Sequence, residues 1–128
     1  MKLYYLNFLI LLTISILKSD NLIVPDQYET IQSAIDASSD NDSVIVSPGV
    51  YYEKINFYGK SIVISSRFVL DNDSLLIGLT IIDAENTGSV VTFNSQENLS
   101  SVLQGFTIQG GNGNYEDPDG NGSYYTYG

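Results

Sequence analysis

After residue 20, apolar residues follow a helical spacing most clearly between residues 30 and 38. Ile31, Ala34 and Ile35 recur at i, i+3 and i+4, and Thr30 before them is a favourable N-cap residue. This pattern predicts a short amphipathic helix, which residues 39–42 end because serine, asparagine and aspartate favour turns. A helix of two or three turns is marginal alone in water, so its apolar face must pack on another element.

Short runs of β-branched and aromatic residues follow this helix, and they predict strands. Matching residues 44–46 to residues 80–82 and then to residues 106–108 gives steps of 36 and 26 residues, which are typical of solenoid repeats. Residues 67–79 are interpreted as a longer excursion within the first step. An antiparallel sandwich is the alternative, but it needs longer alternating strands and two-residue turns. The predicted strands lie in residues 44–46, 55–57, 61–65, 79–82, 90–93 and 106–108.

Residues 1–19 have the pattern of a secretory signal peptide. Lys2 precedes a mostly apolar stretch that ends at Leu17, and the polar residues Lys18 and Ser19 follow. A retained membrane anchor is the alternative, but the stretch is interrupted by polar residues and is shorter than the roughly 20 apolar residues of a spanning helix. We therefore expect removal of residues 1–19, no stable membrane span afterwards, and a protein that is secreted or lies at the cell surface.

The composition is acidic and restricts the chemistry. Fifteen Asp and Glu against five Lys and Arg give a net charge of −10, which disfavours nucleic acid and anionic polysaccharide as partners. The chain has no Cys and no His. A zinc site of the usual Cys/His kind, a thiol nucleophile and a Ser-His-Asp triad are therefore excluded within this sequence.

Several segments together resemble the N-terminal part of the pectin lyase-like superfamily of right-handed parallel β-helix proteins. The likeness spans about residues 22–112. It rests on YETIQSAIDA at residues 28–37, DSVIVSPGVYYEKI at residues 42–55, GKSI at residues 59–62, TIID at residues 80–83 and GFTI at residues 105–108.

The resemblance implies an all-β fold: a right-handed parallel β-helix, or solenoid, with a short N-terminal capping α-helix. Residues 20–128 would then be the cap and first coils of a β-helix domain that continues beyond the chain's last residue. Pectin methylesterases begin with a similar helix and Pro-Gly corner, but their catalytic motifs Q-D-T and D-F-I-F-G have no match here. No catalytic residue and no cofactor is therefore transferred to this chain.

A calcium site is the one metal site that the sequence suggests. Asp117, Asp119 and Asn121 stand at positions 1, 3 and 5 of a calcium loop, with Gly122 at position 6. Position 12, which should supply a bidentate acid, is Gly128. A solvated glycine-rich turn is the alternative interpretation, and we expect calcium binding to be weak at most.

Three other groups of residues have alternative interpretations. Glu53 and Lys54 form either an acid with its charge partner or, as we expect, a solvated face. Asp83 and Glu85 are either paired carboxylates for sugar chemistry or ordinary surface acids. The C-terminal tyrosines are either a stacking platform for sugar rings or loop residues. These tyrosines are Tyr115, Tyr124, Tyr125 and Tyr127.

Two classes of function remain open from the sequence. The first is an exported, non-catalytic module that presents an extended surface to a glycan, such as a polysaccharide or cell-surface glycan, or to a partner. The second is a polysaccharide-active enzyme, a pectinesterase or lyase, whose catalytic residues lie beyond residue 128. We expect the first, because no catalytic motif occurs in the sequence.

Overall fold

The computed structural model describes residues 18–116 and 125–127, without the side chains of residues 114–116 and 125–127. These residues form helices α1 (Ile31–Ala37), α2 (Phe68–Asp71) and α3 (Leu75–Leu79). The strands are β1 (Asn21–Val24), β2 (Ser43–Val46), β3 (Gly49–Tyr51), β4 (Ile55–Asn56), β5 (Val63–Ser66), β6 (Thr80–Asp83), β7 (Val91–Thr92), β8 (Val102–Gln104), β9 (Thr107–Gln109), β10 (Asn114–Glu116) and β11 (Tyr125–Tyr127).

Three small parallel sheets organise most of the described chain. The first has the order β1-β2-β5-β8, the second β3-β6-β9, and the third pairs β4 with β7. The chain visits the three sheets in this same order as it proceeds, so each strand after the first of its sheet lies beside its predecessor. A separate antiparallel pair, β10 with β11, completes the described strands.

The core lies between the inward faces of these sheets and helix α1. Side chains alternate along each strand, so every second residue points inward. In the segment from Val50 to Tyr58, for example, Ile55 and Phe57 are buried while Val50, Lys54 and Tyr58 are exposed. The largest fully buried apolar side chains are Phe57, Ile31, Ile35, Ile55, Ile62, Ile64, Ile82, Val24, Val44 and Val46.

Helix α1 confirms the prediction made from its apolar spacing. Ile31, Ala34 and Ile35 are fully buried. Thr30 is the N-cap, and its hydroxyl accepts a hydrogen bond from the Ser33 backbone N–H at 3.0 Å. The Ser33 hydroxyl in turn accepts from the Thr30 backbone N–H at 3.3 Å, which completes a reciprocal capping box.

Both ends of α1 are also bound by charged side chains from the segment containing β4. The Glu53 carboxylate accepts hydrogen bonds from the backbone N–H groups of Ile31 (3.0 Å) and Gln32 (2.9 Å). The Gln32 side chain joins the backbone of Asn56, whose N–H donates to Gln32 Oε1 at 2.8 Å. At the other end the Lys60 ammonium donates to the carbonyls of Ile35, Asp36 and Ser38 at 2.5, 2.9 and 2.8 Å. Each charge has the sign that complements the helix dipole.

The predicted fold class is wrong. We expected an all-β chain with one short capping helix, closed into a right-handed parallel β-helix. The described residues contain three helices and form no closed solenoid. Part of the reason is local: residues 67–79, interpreted as an excursion, contain α2 and α3. The run LLIGL at residues 75–79 lacks the alternation of a strand, and leucine is a strong helix former.

The third sheet gives the other part of the reason. It consists of two strands of two residues each, and no described strand lies beside β7 on its second edge. After β9 the described chain forms the antiparallel pair β10–β11 instead. The chain therefore completes the circuit through the three sheets twice, with β2-β3-β4 and β5-β6-β7, and within the described residues its third passage ends after β9.

Strand registers correct the predicted repeat. The step of 26 residues is confirmed, because β6 pairs with β9 and Ile81 lies opposite Thr107. The step of 36 residues is wrong: Thr80 lies opposite Gly49 in β3, and the neighbour of Val44 is Ile64 in β5. Residues 44–46 lie in β2 and residues 80–82 in β6, and these two strands belong to different sheets.

Candidate functional site

The predicted calcium loop follows β10 in the sequence. Asp117, Asp119 and Asn121 lie outside the described residues, and so does Tyr124. Tyr115 lies in β10, and Tyr125 and Tyr127 lie in β11. The structure describes only the backbone of these three residues. Calcium binding and the tyrosine platform therefore stay predictions.

Glu53 and Lys54 point in different directions, so the expectation of one solvated charged face is wrong. Glu53 is half-buried and binds the N-terminus of α1 through both carboxylate oxygens. Lys54 is exposed, and its ammonium donates to the carbonyl of Thr87 at 3.1 Å. The alternation of side chains along an extended segment separates the two residues.

Asp83 and Glu85 lie together at the turn that follows β6. The Asp83 carboxylate accepts from the Gln109 side-chain amide at 2.8 Å and from the Glu85 backbone N–H at 2.7 Å. These hydrogen bonds, chiefly that from Gln109, lower the pKa of Asp83. Hydrolysis of a glycoside by two carboxyl groups needs one whose pKa is raised, so that it can act as an acid. Asp83 has the opposite shift and does not fit the role of that acid; it stabilises the turn that follows β6.

A polar groove lies on the outer surface of the third sheet. Asn56 in β4 lies opposite Thr92 in β7. Ile55, the residue before Asn56, is buried in the core. The loop before β7 adds one wall, and its conformation is fixed because Thr87 donates to the Ala84 carbonyl through both its N–H (2.9 Å) and its hydroxyl (2.7 Å). We call this the Lys54 groove. It has a volume of about 270 Å³ and is lined by Lys54, Ile55, Asn56, Thr87, Gly88, Ser89 and Thr92.

A smaller hollow adjoins the Lys54 groove and shares Lys54 and Thr87 with it. Its volume is about 90 Å³, and its other lining residues are Tyr52, Glu53, Asp83, Ala84 and Glu85. Tyr52 is 65% exposed. Lys54 and Thr87, which a hydrogen bond joins, line both hollows.

The groove presents hydroxyl and amide groups to solvent. Hydroxyl and amide groups both donate and accept hydrogen bonds, as the hydroxyls of sugars require. Among the described residues there is no group of three or more His, Cys, Asp or Glu side chains that could hold a metal ion. In the same part of the chain, no helix is long and apolar enough to cross a membrane.

Sequence reasoning missed Thr87, Ser89 and Thr92 as lining residues. A signal was present for Asn56, because a strand over residues 55–57 with Ile55 and Phe57 inward places Asn56 outward. The pairing of Asn56 with Thr92 depends on which strands share a sheet, and the pattern of single strands does not specify this.

Comparison with known proteins identifies no relative of this chain. No family model matches it, and neither the curated proteins nor the solved structures contain a significant match. The resemblance to the pectin lyase-like superfamily therefore gains no support from these comparisons and stays a prediction.

Proposed function

We propose that the chain is exported and acts at the cell surface or outside the cell as a non-catalytic module that binds neutral carbohydrate. The observation on which the proposal depends is the Lys54 groove, in which Asn56, Thr87, Ser89 and Thr92 surround an open polar surface beside exposed Tyr52. Export is supported by the signal-peptide pattern of residues 1–19.

The arrangement of Tyr52 and the groove supports a sugar chain as the ligand. The aromatic ring offers an apolar face on which a sugar ring stacks, and the groove offers hydrogen-bonding groups to the sugar's hydroxyls. Pockets that enclose a drug-sized molecule have volumes of about 300–1,000 Å³. A groove of about 270 Å³ that is open to solvent suits a short stretch of a longer polymer better than a small enclosed ligand.

Charge supports a neutral polymer rather than an acidic one. The chain has a net charge of −10, and three carboxylates, those of Glu53, Asp83 and Glu85, line the smaller hollow beside Tyr52. The single ammonium of Lys54 in the groove is already hydrogen-bonded to Thr87. A polyanion would therefore meet a repulsive field over most of its length.

Affinity electrophoresis through gels that contain a soluble neutral polysaccharide tests the proposal. We expect retardation in gels of neutral glucans, xylans or mannans and none in polygalacturonate. The Tyr52→Ala variant should bind about fivefold more weakly, since an aromatic stacking contact contributes on the order of 1 kcal/mol. Thr92→Val, which keeps the side-chain shape and removes the hydroxyl, should also weaken binding.

Tyr58→Asn is the matched control. Tyr58 is 60% exposed and follows the same strand segment, but it does not line either hollow. Its backbone has a positive φ of 52°, which asparagine adopts readily. Retardation that is equally reduced by Tyr58→Asn and Tyr52→Ala, or no retardation by any neutral polysaccharide, would contradict the proposed binding surface.

A further inference from the structure

Asp20 and Asp42 form a contact whose chemistry depends on where the polypeptide is cut. The backbone N–H of Asp20 donates a hydrogen bond of 2.8 Å to Oδ1 of Asp42. Asp42 is only 8% exposed, and its second oxygen accepts from the Ser39 backbone N–H at 2.8 Å. The hydrogen bond from the Asp20 N–H lowers the pKa of Asp42 most, and the bond from the Ser39 N–H lowers it further. The carboxylate is therefore charged at neutral pH.

The position of Asp20 is fixed by a second backbone contact. The Ser43 N–H donates to the Asp20 carbonyl at 2.9 Å, and strand β1 begins at the next residue, Asn21. Strand β1 then pairs with β2 in register, with Asn21 opposite Ser43. Asp20 is thus the first of the described residues whose backbone N–H and carbonyl are both hydrogen-bonded, the N–H to the Asp42 side chain and the carbonyl to the Ser43 backbone.

We propose that proteolytic maturation cuts the chain between Ser19 and Asp20 and that the new α-ammonium group of Asp20 forms an ion pair with the Asp42 carboxylate. This inference rests on the export that forms part of the proposed function, and it is independent of carbohydrate binding. It assigns a processing site, and it gives Asp42 the role of receiving the mature N-terminus.

The cut itself is a simple hydrolysis by an endopeptidase of the export machinery. Water adds its oxygen to the Ser19 carbonyl carbon, the amide bond to the Asp20 nitrogen breaks, and that nitrogen leaves as an amine that is protonated at neutral pH. Lys18, Ser19 and Asp20 are all exposed. The apolar stretch that ends at Leu17 precedes them closely, and Ser19 is the small residue directly before the cut, while Leu17, at the third position before it, is larger than the usual residue there.

Cutting replaces a neutral donor by a charged one at the same place. Before the cut, Asp42 accepts from an amide, and Lys18 pairs with the Asp20 side chain at 2.6 Å. After the cut, Lys18 has gone, and an ammonium group occupies the position of the amide nitrogen, 2.8 Å from Asp42 Oδ1. Two full and opposite charges then attract each other where a charge met only a dipole before, so the mature chain is stabilised relative to a chain that continues upstream.

Mapping the N-terminus of the exported protein is the first test. The full coding sequence is expressed with export, and the secreted protein is analysed by intact mass and N-terminal sequencing. We expect a single start at Asp20. A start at another residue, or retention of Met1, would overturn the inference, while a glycan-binding result would be unaffected by either.

A double-mutant cycle is the second test and separates the ion pair from a merely structural role of Asp42. The exported protein with its native start is compared with a variant in which Gly-Ser is inserted between Ser19 and Asp20, so that the ammonium group is displaced and Asp20 keeps an amide. We expect the insertion to lower the melting temperature by about 4 °C in the Asp42 protein. In the Asp42→Asn background the same insertion should have a much smaller effect, because asparagine keeps an acceptor oxygen but carries no charge.

Asp42→Asn should lower the melting temperature by itself, because it weakens the hydrogen bond from the Ser39 N–H to the side chain of residue 42. The double-mutant cycle cancels that effect, since both proteins of the Asp42→Asn background share it. An equal shift on insertion in both backgrounds, or no shift in either, would overturn the ion pair. Mass spectrometry of each purified protein confirms its start before the comparison is made.

Discussion

Glu53 gives the sharpest test of how the N-terminal helix is held. Its carboxylate accepts from the backbone N–H groups of Ile31 and Gln32, which have no partner inside α1 because they belong to its first turn. Hydrogen bonds to a charged group contribute about 1.5–3 kcal/mol each, and a carboxylate near a helix N-terminus adds about 0.3–1 kcal/mol.

We expect Glu53→Gln to lower the free energy of unfolding by about 1–2 kcal/mol and Glu53→Ala by about 2–3 kcal/mol. Glutamine keeps one acceptor oxygen but no charge, whereas alanine leaves both N–H groups without this partner. These values are below the sum of the separate contributions because Glu53 is only half-buried and water replaces part of what is lost.

Urea denaturation followed by far-ultraviolet circular dichroism measures the loss. For an m-value of about 1–3 kcal/mol per molar urea, the midpoint of Glu53→Ala should fall by about 1 M. Glu29→Gln is the matched control: it removes the same charge near the same helix end, but Glu29 is exposed and accepts no hydrogen bond from the helix among the described residues. Equal midpoints for Glu53→Gln and Glu29→Gln would refute the reasoning, because only general electrostatics would then be at work.

Two further predictions concern glycine and pH. Gly105→Ala should destabilise the protein, because Gly105 has a φ of +79° and a Cβ there would lie 2.1 Å from Cδ1 of Phe68. Gly78→Ala in α3 should be neutral or stabilising, since nothing lies within 4 Å of its Cβ position. Thermal melts that rank the two variants in the opposite order would contradict this. Because the folded-state pKa of Asp42 is lowered, its contribution to stability is present above its unfolded pKa of about 3.9 and is lost as the pH falls through the lower folded value. Asp42→Asn should therefore have a flatter decline of stability between about pH 4 and pH 2 than the unmodified protein, as measured by urea midpoints at each pH; an unchanged slope would exclude Asp42 as a source of acid sensitivity.

The sequence predicted individual elements well where a local rule decided them. The spacing of Ile31, Ala34 and Ile35 and the cap at Thr30 specified α1, because helix amphipathicity and capping involve residues that are close in sequence. The strands at residues 44–46 and 80–82 followed from β-branched runs for the same reason. The step from Ile81 to Thr107 was also found, since both strands lie in one sheet.

The predictions that failed depended on partners distant in sequence. Glu53 was assigned to a solvated face because the sequence does not show that the N–H groups of Ile31 and Gln32 lie within reach of its carboxylate. Strand β1 was missed because a short apolar run gives no periodic signal until its pairing with β2 is known. Residues 67–79 were interpreted as a longer excursion, and the helices α2 and α3 that they contain contradict the expected all-β class.

The way α1 is bound also determines when it can form as the polypeptide is made. A helix of seven residues is marginal alone, and here Glu53 and Lys60, which hold its two ends, follow it in the sequence. At synthesis rates of about 5–20 residues per second, Lys60 emerges a few seconds after Ile31. During that interval the residues of α1 lack the two side chains that bind the helix ends, so the helix is not yet stable. Helix α1 therefore becomes stable only once the segment around β4 has been made and can bind its two ends.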